Sequence, residues 1–279
     1  QVYIGSEDGI FANVTASYLF ANIGSSSICK DKNVIYNIDL LNVTRSTAME
    51  CMFFNCGSAA MTQLNLGNNF NTRYVVDMGQ MFQNCGRNAM TTFNLGDKFY
   101  TSKVNDMNNM FSGWGFAKMQ TLDLGSNFNT KNVANMSCMF GRTGNNAMTT
   151  LNLGSNFDTS NVYDMTWMFA YTGHEAMTGL DLGSKFNTSK VTNMSSMFYA
   201  CGHEALTTLN LGSNFDTSKV TNMSSMFKET GYTAMTNINL GSKFNTINVT
   251  NMFEMFMYCG RTKMQTLNLG SNFDTRNVT

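Results

Sequence analysis

Apolar side chains recur along this chain at a fixed spacing of 29 residues. Leu64, Phe93, Leu122, Leu151, Leu180, Leu209, Ile238 and Leu267 form one column, and Leu66, Leu95, Leu124, Leu153, Leu182, Leu211, Leu240 and Leu269 form a second. Phe70 to Phe273, Val75 to Val278 and Met78 to Met252 continue at the same interval. Self-similarity of this length without insertions implies a solenoid, each repeat a coil stacked on the next.

Residues 206–231, LTTLNLGSNFDTSKVTNMSSMFKETG, show what one coil holds. Leu209 and Leu211 alternate with Thr208 and Asn210, the period-two pattern of a half-buried strand. Gly212 follows in every copy, as a corner requiring φ > 0 would demand. Asp216, Thr217 and Ser218 are suited to cap a helix, and Val220, Met223, Met226 and Phe227 at i, i+3, i+6 and i+7 predict one apolar helical face. Gly231 then stands where a helix would end. The expected fold class is therefore α/β, a solenoid whose coils each hold one short parallel strand and one short helix.

Residues 1–37 depart from the repeat and read as a divergent amino-terminal cap. Residues 38–279 read as a solenoid of about nine coils, the last one incomplete. The fragment Asn13-Val-Thr-Ala-Ser-Tyr-Leu-Phe-Ala echoes the later N-V-T-N-M-S-S-M-F, so repeat character reaches into the cap.

Composition narrows the partners. The formal net charge is zero and only 13% of residues are charged, which argues against nucleic acid and anionic membrane, since both need dense Lys and Arg. No apolar run approaches the length of a bilayer span, so direct membrane insertion is not expected. Of seven cysteines, Cys56, Cys85, Cys201 and Cys259 share one repeat position with Trp114, Thr143, Thr172 and Thr230. A slot that accepts Cys, Thr or Trp is a packing position; a Cys56–Cys85 disulfide is the one pairing between adjacent coils.

The string Phe215-Asp-Thr-Ser-Lys-Val-Thr-Asn-Met-Ser-Ser-Met-Phe227, echoed at 157–169, 186–198 and 244–256, resembles the unit of the BspA-like, mycoplasma lipoprotein type, leucine-rich repeats of bacterial surface proteins. The resemblance covers about residues 38–279. It implies a leucine-rich-repeat solenoid displayed outside the cell, acting in adhesion or recognition without catalysis. The chain departs from that pattern in its longer coils.

Two sets of residues are candidates for partner binding. The first is the outward strand face, a nearly uncharged ladder that includes Thr121, Asp123, Thr150, Asn152, Asp181, Thr208 and Asn210, suited to glycan hydroxyls or a protein strand. The second is Tyr171, Tyr199 and Tyr258, beside the corner that carries His174-Glu175 and His203-Glu204. Lys185 is expected near Asp158 or Asp216, breaking up stacks of like charge. No nucleophile with a convergent base and acid, no phosphate loop and no metal-ligand spacing is present, so neither catalysis nor a metal or other cofactor is expected. The expected role is an extracellular, cell-surface adhesion or recognition protein whose partner is a host or neighbouring-cell protein or glycan. The alternative is a structural subunit that joins copies of itself head to tail in a filament.

Overall fold

The computed structural model describes residues 10–32 and 35–279, and their backbone forms a β-solenoid. Nine residues one coil apart, Thr15, Ala48, Asp77, Asp106, Asn135, Asp164, Asn193, Asn222 and Asn251, are bridged in parallel from each coil to the next. The first bridge shows that residues 10–23 already stack on the following coil. Tyr18, Phe20 and Asn22 donate backbone N–H groups to Glu50, Met52 and Phe54 at 3.1, 2.9 and 2.8 Å, and Phe20 stacks on Phe53. Residues 1–9 of the expected cap lie outside the described residues.

Strands are short: β1 Ile10–Phe11, β2 Leu41–Asn42, β3 Gln63–Asn65, β4 Thr92–Asn94, β5 Thr121–Asp123, β6 Thr150–Asn152, β7 Gly179–Asp181, β8 Thr208–Asn210, β9 Asn237–Asn239 and β10 Thr266–Asn268. Their parallel ladders run two by two, β1 with β2, β3 with β4, and so on to β9 with β10. In β3, β5, β6, β8 and β9 the middle residue is buried and its neighbours are exposed, as the alternation predicts.

The expected helix of each coil is not there. Among the described residues the one helical element is the 3-10 turn Ile38–Leu40. The segment read as a helix is a chain of tight turns bonded to its neighbours. Met78, Gln80, Phe82 and Asn84 donate N–H to Asp106, Asn108, Met110 and Ser112 of the next coil at 3.2, 2.8, 2.9 and 2.8 Å. Met81, Gln83 and Cys85 donate instead to the carbonyls of Met78, Gln80 and Phe82, three residues back in the same coil. The carbonyls left over, those of Gly79, Met81 and Gln83, accept from the preceding coil. Every second peptide thus bonds along the solenoid, and the segment is satisfied without a helix.

Left-handed residues make this path possible. Gln80 and Asn84 have φ of 56° and 54°, and the same two positions are left-handed in every later coil, as is the following glycine, Gly86 in this copy. Gly231 is therefore the close of a turn, Met235 N–H donating to its carbonyl at 3.0 Å, and not a helix terminus. The spacing of coils explains the preference. A parallel ladder advances about 4.8 Å per step, whereas a helix with its side chains is about 10 Å across. Coils bonded at ladder spacing on both sides leave no room for a stack of helices.

The inward columns are those the periodicity picks out. Val220, Met223, Met226 and Phe227 have no exposed surface, and neither do their counterparts in the preceding five coils. One phenylalanine column forms a continuous stack, Phe82, Phe111, Phe140, Phe169, Phe198 and Phe227, with centroids 5.4–5.9 Å apart. Burying each such ring contributes about 1.5–3 kcal/mol against its exposed state. Methionine fills the space between ring columns because its unbranched chain adapts to irregular gaps.

Candidate functional site

The strand face is set by its backbone. Asp123, Asn152, Asp181 and Asn210 end β5, β6, β7 and β8, all exposed, and each accepts from the N–H of the glycine two residues on, at 2.9–3.0 Å. The same bond recurs at Asn65, Asn94, Asn239 and Asn268. One side-chain oxygen of each residue in this column is therefore committed to holding the corner. Thr121, Thr150 and Thr208 lie two residues earlier and face solvent. Between the β7–β8 and β9–β10 pairs the face opens into a shallow cleft of about 230 Å³, lined by Thr208, Leu209, Asn210, Gly212, Asn237, Asn239 and Gly241.

Lys185 does not reach the aspartates. Its Nζ donates to Asn156 Oδ1 at 3.1 Å, and Lys243 does the same to Asn214 at 3.0 Å, because the amide lies one coil back at nearly the same height. All seven cysteines are free thiols, Cys56 and Cys85 included. Burial pushes the thiols of Cys201 and Cys259 up to about 12.

The turn side of the coils carries the more distinctive surface. Tyr171 meets Tyr199 edge to face at 5.0 Å and stacks on His174 at 5.8 Å. His174 stacks on His203 at 4.6 Å, His203 on Tyr232 at 4.5 Å, and Tyr232 meets Tyr258 at 6.3 Å. Trp167 closes the other end, 5.7 Å from Tyr199 and 6.5 Å from Tyr171. The result is one ribbon of seven rings across consecutive coils. Cations flank it: Arg142 over Tyr171, Lys228 over Tyr199, and Arg261 over Tyr232 and Tyr258.

The ribbon is partly open to solvent, with Trp167 36% and Tyr258 42% exposed. Burial and a hydrogen bond to Tyr199 raise the Tyr171 hydroxyl to about 12. Burial and the neighbouring His203 hold His174 below the usual imidazole range, and its buried Nδ1 lacks a hydrogen-bond partner. His203 Nδ1 pairs with Glu204 Oε1 at 2.8 Å, and Lys228 pairs with Glu254 at 2.6 Å. Trp167, Tyr171 and Tyr258 all occupy left-handed backbone positions, φ 57–61°, a conformation that is unfavourable for bulky residues.

The structure thus joins Tyr171 to Tyr199 and links Tyr258 through Tyr232. No hydrogen bond or ring contact among the described residues joins these tyrosines to Thr121, Asp123, Thr150, Asn152, Asp181, Thr208 or Asn210, which form a separate face. Sequence reasoning passes over Trp167 and Tyr232. The signal for Tyr232 is present, since it lies 29 residues after His203 in the column of His174.

The chain belongs to the DUF285 family, described as Mycoplasma protein of unknown function: the family model matches residues 25–117, 87–176, 114–210 and 172–279. No curated protein and no solved structure matches the chain.

Proposed function

We propose that this DUF285 repeat solenoid is a non-enzymatic, extracellular surface protein of the BspA-like kind, mediating adhesion or recognition of a host or neighbouring-cell protein or glycan. The ribbon from Trp167 to Tyr258 carries this reading. Tyr and Trp with adjacent Arg are the side chains that dominate binding energy at recognition surfaces. Here they are collected from separate coils and held by ring contacts, and three of them, Trp167, Tyr171 and Tyr258, are kept in left-handed positions where Ser225, Ala200 and Glu229 serve elsewhere in the array. A core that needed only filling would not place rings on the outside of the turns.

The test is adhesion of the labelled 279-residue chain to epithelial monolayers and to arrayed glycans. Trp167→Ser and Tyr258→Ala introduce residues that the same columns already hold at Ser196 and Ala200, so folding is preserved. The double variant is expected to lose at least tenfold in apparent affinity. Undiminished adhesion by a folded double variant would remove the ribbon as the contact surface.

A further inference from the structure

The corner that follows the strands is closed by side chains in the later coils and open in the first ones. Asn127, Asn156, Asn214 and Asn272 belong to one column there, and each donates Nδ2 to a carbonyl one coil back, those of Asp97, Ser126, Ser184 and Ser242, at 2.8–3.4 Å. Lys185 and Lys243, in the same column, donate to the amides of Asn156 and Asn214. The column begins differently, with Leu40, Asn69 and Lys98. Leu40 is 60% exposed and offers no side-chain hydrogen bond, and the side chains of Asn69 and Lys98 make none among the described residues.

A groove of about 350 Å³ opens at this break. Phe11 of β1 and Leu40 form its apolar part, and Phe11 is 50% exposed even though the Arg45 guanidinium lies 5.0 Å over its ring. Asp39, Asn69 and Lys98 bring polar groups to the same groove, and neither Asp39 nor Lys98 takes part in an ion pair among the described residues. Asn42 and Asn71 add amides that are already held. Asn42 Oδ1 accepts from the N–H and the hydroxyl of Thr44 at 3.0 and 2.6 Å, and Asn71 Oδ1 accepts from the Arg73 N–H at 3.2 Å. Each Nδ2 is thereby left as an oriented donor.

The groove therefore combines one carboxylate, one ammonium, several amides and an apolar wall, with no excess of either charge. An ionised carboxylate only accepts hydrogen bonds and an ammonium only donates them, whereas a hydroxyl does both. Neighbouring hydroxyls of a single sugar ring can satisfy the two charged groups together, while the C–H face of the ring covers Phe11 and Leu40. A polyanion would meet Asp39, and a polycation Lys98. The volume lies at the lower end of the usual range for small-molecule sites, about 300–1,000 Å³, and suits the end of a glycan. We propose that the groove between Phe11 and Lys98 is a binding site for a neutral sugar residue, with Asp39 and Lys98 taking adjacent hydroxyls. The glycan as a class of partner rests on the recognition reading; the site itself lies coils away from the ribbon.

Ligand-observed saturation-transfer NMR of the full chain tests this with the methyl glycosides of glucose, galactose, mannose and N-acetylglucosamine, beside that of glucuronic acid as the charged counterpart. Saturable binding of at least one neutral glycoside is expected, tighter than that of the glucuronic acid glycoside. Lys98→Gln changes an exposed side chain and is expected to weaken binding about tenfold with an unchanged unfolding midpoint. Asp39→Asn is expected to do the same, while Lys185→Gln, the same change in the same column three coils on, stays within twofold. No saturable binding of any neutral glycoside, tighter binding of the glucuronic acid glycoside, or unaltered binding by K98Q would each overturn the proposal. W167S/Y258A is expected to keep the glycoside while losing adhesion; loss of the glycoside as well would take the sugar away from this groove. Because the NMR measurement needs no cells, undiminished adhesion by W167S/Y258A would remove the ribbon and leave this site in place.

Discussion

Thr217 clamps Asn245 from one coil below: its hydroxyl donates to the Asn245 carbonyl at 2.8 Å and accepts from the Asn245 N–H at 2.7 Å. Thr130 and Thr159 hold Asp158 and Asn187 in the same way, and Thr246 holds Asp274. The whole threonine column from Thr72 to Thr246 is buried. Replacing Thr217 by Val keeps the shape and deprives both backbone groups of their partner, at a cost of about 1–3 kcal/mol. Thr208→Val on the strand face is expected to stay within about 0.5 kcal/mol. Urea denaturation of both variants measures the difference.

Glycine corners divide into two kinds although all have positive φ. A Cβ at Gly96 would lie 1.9 Å from the carbonyl oxygen of Gly67, whereas at Gly125 nothing lies within 4 Å. Gly125→Ala should therefore cost only the left-handed conformation, about 1–2 kcal/mol. Gly96→Ala must also push apart the β3–β4 pair, so its unfolding midpoint is expected to fall clearly further. Equal midpoints for the two variants would contradict the two-by-two arrangement of the strand face.

Acid should loosen the ribbon at His174. Burial and His203 lower its folded pKa, so neutral imidazole is the form that the fold favours. The resulting stabilisation is present above the unfolded value of about 6.5 and is lost as pH falls through the lower folded value. Glu175, Glu204 and Glu229 favour the proton but act less strongly than burial and the adjacent ring. His174→Asn, the residue at Asn145 one coil earlier, is expected to flatten the decline in melting temperature between pH 7.5 and pH 5. An unchanged slope would assign that decline to other groups.

Thiol reactivity should follow burial. Cys201 and Cys259 are pushed to about 12, and the burial of Cys85 beside Cys56 raises its thiol well above the usual value. Native alkylation at pH 8, read by mass spectrometry, is expected to modify the half-buried Cys29 first and leave Cys56, Cys85 and Cys201 unmodified until denaturant is added.

The sequence reveals which side chains face inward more reliably than the path of the backbone between them. Val220, Met223, Met226 and Phe227 are buried, and their spacing fits a helix of 3.6 residues per turn. Left-handed residues four apart, Ser225 and Glu229 in this coil, generate nearly the same spacing from a chain of turns. Over eight residues the two periods cannot be told apart. The Asp and Asn residues that end β3 to β10 read as free polar surface, but one oxygen of each is bound to a corner glycine N–H, a two-residue contact hidden by alternation alone. Tyr171 and Tyr199 are legible as outward aromatics; their continuity with Tyr258 depends on Tyr232 and the stacked histidines, which only the coil-to-coil register brings together.

The alternate peptides that bond along the solenoid also determine how it would answer a mechanical load. Each coil is held to the next by a row of short hydrogen bonds lying nearly parallel to the axis, so a pull along that axis opens one row at a time. A freed coil of 29 residues, drawn out at about 3.4 Å per residue, lengthens the chain by roughly 100 Å. The stack behind it remains bonded, and the same repeat that builds the rod makes it an extensible one.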